Sequence, residues 1–207
     1  MDAIARGFLP SEIAGSNEGD SFDTPAPEED VGQRIIEAAM ERFGRVDTVV
    51  NNAGIFVPKS FTDYTDEDYD AVTGVNLRGF FEVSRAAVAP MLSRDGGGHV
   101  VNISTSLVDH ANSQVPSALA SLTKGGLNAV TKAPAVASRG IRSNAVALGV
   151  IRTPMHDPSS YDTLALLHPV GRLGEIDDVV DAVVYLENAP FVTGAILHVD
   201  GGQSAGH

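Results

Sequence analysis

The sequence predicts an α/β domain in which a parallel sheet is covered by helices on both faces. Two observations carry that prediction: a helix-strand unit repeats along the chain, and its strands VDTVV, HVVNIS, SNAVAL and AILHVD are apolar runs suited to burial. At 207 residues, with 43% hydrophobic and 20% charged residues, the chain fits one globular domain with a buried core.

Residues 1–28 read as an irregular segment, because GSNEGDSFDTPAPEED mixes Gly, Ser, Pro and acids, a composition that favours turns or disorder. The domain is expected over residues 29–207. Val31, Ile35, Ile36, Ala39, Met40 and Phe43 recur at helical spacing, with Gly44 placed to end the helix in a left-handed cap. VDTVV at 46–50 then reads as a buried strand. Thr65 with Asp68 resembles a capping box, opening a helix through Val72 and Val75 towards Phe81. After the DGGG turn comes the strand HVVNIS, then a helix beginning near Ser117, the strand SNAVAL, a helix from Asp177 to Leu186, and AILHVD running into Gly201 and Gly202. No internal repeat is visible.

Composition excludes several functions. A formal charge of −13 argues against nucleic acid as a partner. Cysteine is absent, so disulfides, a thiol nucleophile and thiolate metal sites are excluded. No apolar run approaches the roughly 20 residues that span a bilayer, and the opening residues lack the pattern of a secretory signal, so a soluble cytoplasmic protein without a membrane partner is expected. His110, His156, His168 and His207 lack the spacing of a zinc site and read as surface or loop residues; no metal is expected. The acids Asp63, Asp66, Glu67, Asp68 and Asp70 read as a solvated helix start, favoured by the macrodipole, rather than a calcium loop.

DTVVNNAG, GVNLRGFF, GGHVVNIS, SLTKGGLNAVTK, RGIRSNAVALGVIRTPM, GRLGE and FVTGAILHVDGG follow one another in order. Together they resemble the classical short-chain dehydrogenase/reductase family over roughly residues 29–207. The resemblance implies a Rossmann-like doubly wound parallel sheet and an oxidoreductase that uses NAD or NADP on a small-molecule alcohol or ketone. It implies that Asn52, Ala53 and Gly54 line the cofactor at the carboxyl edge of the sheet, although the same residues also read as a plain strand-ending turn. It makes Asn76 the asparagine that interrupts a helix and holds a water in a proton relay; a buried Asn bonded to backbone is the simpler reading. Lys124 takes the position of the lysine that binds the nicotinamide ribose and lowers the pKa of a tyrosine. Thr153, with the Ile151 backbone nearby, matches the contact to the nicotinamide carboxamide, and equally reads as a helix cap before Pro154.

Four departures stand against that pattern. No GxxxGxG or GxGxxG precedes Asn51, so the backbone cradle for a pyrophosphate is missing, the first strands of the sheet are expected to be absent, and cofactor binding should be weak. Only Asp23, after Phe22, is placed to match the family's adenine-binding Asp. The edge beside VDTVV would then be bare, which invites a homo-oligomer or pairing with another chain. Second, Ala120 stands where the family has its catalytic tyrosine before Lys124, and neither Ser117 nor Ser121 is acidic enough to replace a phenol. Third, Pro134 falls where the helix after Lys124 should continue, at a cost of about 3 kcal/mol. Fourth, Leu148-Gly149 replaces the usual Pro-Gly. In Asn102-Ile103-Ser104-Thr105-Ser106 the motif register makes Thr105 the hydroxyl that polarises a substrate carbonyl, with Ser106 beside it; a strand end bonding its own turn is an equal reading. Asn76, Thr105 and Lys124 are therefore the expected surviving relay of an impaired enzyme. The alternative is a non-catalytic remnant or binding subunit that pairs with an intact relative.

Overall fold

A computed structural model of the chain describes residues 31–133 and 140–205. Its elements run α1 (Val31–Phe43), β1 (Thr48–Asn51), α2 (Asp66–Thr73), a π-helical turn (Gly74–Gly79), α3 (Phe80–Leu92), β2 (Gly98–Thr105), α4 (Ala118–Thr131), β3 (Ile141–Leu148), a short α5 (Tyr161–Ala165), α6 (Ile176–Glu187) and β4 (Ile196–Val199). The four strands form one sheet in the order β1-β2-β3-β4, every pair parallel. Asp23 and Pro134 lie outside the described residues, as does the irregular segment expected over residues 1–28.

The local signals act as their chemistry requires. Gly44 takes a φ of 72° and its N–H donates to the Met40 carbonyl, closing α1 with a left-handed cap. Thr65 accepts from the Asp68 N–H while Asp68 accepts from the Thr65 N–H, so the capping box that opens α2 is complete. The helix expected to run from there towards Phe81 does so, but only by widening into the π turn between α2 and α3.

Because side chains alternate along β2, adjacent valines serve opposite layers. Val100 packs with Ile36, Ala86, Ala87 and Met91 under α1 and α3, whereas Val101 and Ile103 pack with Val146, Ala182 and Leu186 under α6. Each of the larger of these side chains, the Val, Ile, Leu and Met, contributes about 1.5–3 kcal/mol when fully buried. The expectation of a buried strand at VDTVV holds for Val49 alone, since Val50 is 42% exposed. Strand β1 has β2 on one side, and among the described residues no strand pairs with its outer edge.

At the amino edge of the sheet a second polar system ties β2, β3 and α6 together. Asn144 Nδ2 donates to His99 Nε2 at 3.0 Å, so the buried ring carries its proton on Nδ1 and donates it to Glu187 Oε2 at 2.8 Å. Glu187 also accepts from Thr48.

Candidate functional site

The strands of a parallel sheet end on one side, and there the chain leaves a cleft of about 350 Å³. Asn52 and Gly54 follow β1, Ile103, Ser104 and Thr105 end β2, and Leu148 with Gly149, Val150, Ile151 and Thr153 continue β3 into its loop. Ala120 and Lys124 enter from α4, one helical turn apart and so on one face. The opposite wall is largely apolar, with Ile55, Phe56, Leu107, Met155, Leu164 and Leu167. Such a crevice beyond the carboxyl ends of the strands is where open α/β sheets bind ligands.

Lys124 is the cation of this cleft. Its Nζ donates to the Ile103 carbonyl at 2.8 Å, and among the described residues no Asp or Glu lines the cleft. Burial without a compensating charge brings the ammonium down from 10.5 to about 8. Gly54 lies close by, since a Cβ there would stand 3.1 Å from Nζ. Thr105 Oγ1 accepts the Leu107 N–H at the turn that follows β2, which leaves its own O–H free to donate into the cleft. Ser106 cannot share that role, because its hydroxyl is buried and donates to Gln203 Oε1.

Asn76 lies beneath the cleft rather than in its lining, on the π turn and 1% exposed. Its Oδ1 accepts the Ile55 N–H at 2.9 Å, and its Nδ2 donates to the Ile55 carbonyl and to Thr123 Oγ1, both at 3.1 Å. The amide thus staples the loop after β1 to α4, directly beside Lys124. The extra residue in the π turn aims a polar side chain inward from a helix that is otherwise apolar there.

Of the residues singled out from sequence, Asn52, Gly54, Thr105, Lys124, Ile151 and Thr153 share the cleft. Ala53 does not: it is exposed and absent from the lining, because successive residues of an extended segment point to opposite sides. Thr153 is no helix cap, since no helix starts at Pro154; its carbonyl accepts the His156 N–H, and the next helical turn, Pro158–Ser160, is capped by Asp157.

Of the histidines read as surface or loop residues, His207 lies outside the described residues, and His156 and His168 are in loops, though not at the surface. His168, read from sequence as a surface or loop residue, is 3% exposed, and its Nε2 accepts the Val150 N–H at 3.0 Å. That bond fixes the turn after β3, and burial pushes the ring below its ordinary pKa. His156 is half-buried in the cleft wall, and burial lowers it too. Ser104 also escaped the sequence reading: its hydroxyl is 3% exposed, lines the cleft and has no hydrogen-bond partner among the described residues. Only the register of its strand hints at it. Among the described residues no tyrosine lines the cleft, and Ala120, 6% exposed, offers it only a methyl group.

A four-stranded parallel sheet with helices on both faces and a ligand crevice at its carboxyl edge defines a Rossmann-like α/β protein. The profile of a family described as enoyl-(acyl carrier protein) reductase matches residues 13–204. The chain is 36% identical over 177 residues to 3-oxoacyl-[acyl-carrier-protein] reductase FabG of Thermotoga maritima, covering 82% of this chain and 71% of that protein. It is 38% identical over 186 residues to L-rhamnose 1-dehydrogenase (NAD(P)(+)) of Azotobacter vinelandii, covering 84% and 70%. Among solved structures, a blue fluorescent protein from a metagenomic library in complex with NADPH superimposes with a TM-score of 0.77 at 32% identity, over 85% of this chain and 72% of that one. ElxO with NADP bound gives a TM-score of 0.76 at 30% identity, over 84% and 74%. The chain belongs to the short-chain dehydrogenase/reductase family.

Proposed function

We propose that this chain is an NAD(P)-dependent oxidoreductase of an alcohol or ketone, impaired at the proton-transfer step and located in the cytoplasm. The observation that carries the reading is that Lys124 and Thr105 line one cleft at the sheet's carboxyl edge. The residues present fit the nicotinamide end of a dinucleotide: Asn52, Gly54, Lys124, Ile151 and Thr153 would hold it, with a cation and small side chains where ribose and carboxamide must approach closely. A bound dinucleotide supplies the hydride donor or acceptor of the reaction. The Thr105 O–H donates to the substrate oxygen, and Lys124 binds hydroxyl groups and holds positive charge nearby. Asn76 keeps the Ile55 backbone and Thr123 in place behind Lys124. What Ala120 withholds is the proton that an alkoxide must receive, and neither Thr105 nor Ser104 is acidic enough to supply it near neutral pH.

Titration with NADH and NADPH, followed by nicotinamide fluorescence and by melting temperature, tests the reading. Saturable binding with stabilisation of about 2.7 kcal/mol at 100 times Kd is expected; no response at millimolar dinucleotide sinks it. Ala120→Tyr should then confer carbonyl reductase activity on the same cleft.

The outer edge of β1, which no strand pairs with among the described residues, and the exposed Val50 favour a second reading as a non-catalytic subunit that pairs with itself or a relative through that edge. Val50→Lys should leave the melting temperature nearly unchanged and abolish any association seen by size-exclusion chromatography.

A further inference from the structure

We propose that Lys124 is an imine-forming amine, and that the cleft captures an apolar aldehyde as a covalent adduct on Lys124 Nζ with no dinucleotide required. The inference uses the cleft of the proposed function but not its cofactor or its hydride step.

Four observations converge. Lys124 lines the cleft, its Nζ donates to the Ile103 carbonyl, and among the described residues no carboxylate lines the cleft to hold it as an ammonium. Ala120, one turn earlier on the same face of α4, lines the same cleft with no more than a methyl group. Ser104, next in the chain to the carbonyl that Lys124 contacts, lines the same cleft and has a buried hydroxyl with no hydrogen-bond partner among the described residues. The remaining wall, including Ile55, Phe56, Leu107 and Leu167, suits an alkyl or aryl chain.

The amine is also chemically ready. With the group lowered to about 8 by burial, about a tenth of it is neutral at pH 7, against well under a thousandth for an ordinary lysine. A lysine desolvated in an apolar pocket is one established route to an amine nucleophile. The neutral nitrogen's lone pair forms the C–N bond as the carbonyl π pair moves to oxygen, and a proton passes from nitrogen to that oxygen to give a carbinolamine. The C–O bond then breaks, oxygen leaves as water with a second proton, and nitrogen's lone pair closes the C=N bond. Amine and aldehyde become imine and water, with no change of oxidation state. The Ser104 O–H is available to donate to the carbinolamine oxygen.

The chain carries three lysines, which makes the test selective: Lys59 is ion-paired with Asp68 at 2.6 Å, and Lys132 is exposed. The full chain is incubated with hexanal and sodium cyanoborohydride, which reduces any imine to a stable secondary amine, and alkylation is mapped by peptide mass spectrometry. At pH 7, Lys124 should be alkylated roughly tenfold or more faster than Lys132, and its rate of imine formation should level off above about pH 8. Ala120→Phe, which fills part of the cleft that Lys124 lines, should slow Lys124 several-fold and leave Lys132 unchanged. Alkylation of Lys124 no faster than Lys132 in the unsubstituted chain overturns the inference, whatever the variant does. Because no dinucleotide is present, alkylation can succeed where NADH and NADPH fail to bind, and dinucleotide binding can succeed where alkylation fails.

Discussion

Replacing Asn76 by Ala removes three hydrogen bonds at a position that water barely reaches. The Ile55 N–H and C=O both lose their partner, and a buried group left unsatisfied costs about 1–3 kcal/mol. Ile55 is itself 37% exposed, so water can recover part of its bonding, and the sum falls to about 2–4 kcal/mol including the lost packing. For a chain of this size that corresponds to a fall in melting temperature of about 4–16 °C. Urea unfolding followed by circular dichroism measures it directly, with an unchanged m-value expected because the fold is retained. Asn76→Asp is the companion: its carboxylate can still accept the Ile55 N–H but cannot donate to the Ile55 carbonyl or to Thr123, so it should be no better than Ala. A loss below about 0.5 kcal/mol for Asn76→Ala, within the range of ordinary surface substitutions, would refute the staple described above.

Three further outcomes follow from the same structure. Gly149→Ala puts a Cβ 2.7 Å from His168 Nε2 and 2.9 Å from the Asp200 Cα, and should cost about 1–3 kcal/mol in urea unfolding. His99 is held below its ordinary 6.5 by burial, the largest influence, against the raising effect of Glu187. The unfolded chain therefore binds more protons as pH falls from 6.5 towards the lower folded value, so the stability His99 contributes is complete above 6.5 and lost through that window. Unfolding free energies between pH 8 and pH 5 should fall, and His99→Gln should flatten part of that slope; an unaltered slope contradicts the neutral assignment. His168 and His156 share the direction and add to the same slope.

Much of the fold was legible because its signals are local. Gly44, the Thr65 and Asp68 pair, and the apolar runs of β2 and β3 each state their role within a few residues. Six cleft residues were equally legible, because motif order fixes which strand ends they follow. What stayed hidden depends on partners remote in the chain. His168 reaches Val150 across a loop, Ser106 reaches Gln203 across β3 and β4, and His99 meets Asn144 and Glu187 from three separate elements. No periodicity records such contacts. Ala53 failed for the opposite reason: the motif marks a segment, whereas the pleat decides which of its residues face inward.

The cleft is built from two materials of unequal permanence. Ile103 to Thr105 and Leu148 belong to β2 and β3, which are paired over their whole length and packed on both faces, so their amides should exchange with solvent only when the domain opens globally. Met155 to Leu167 hang on short helical turns whose hydrogen bonds are local, and their amides should exchange through small openings. A ligand that settles between them therefore gains a floor that is already still. The ordering it must impose falls on the loop alone, and the loop is where deuterium uptake should register its arrival.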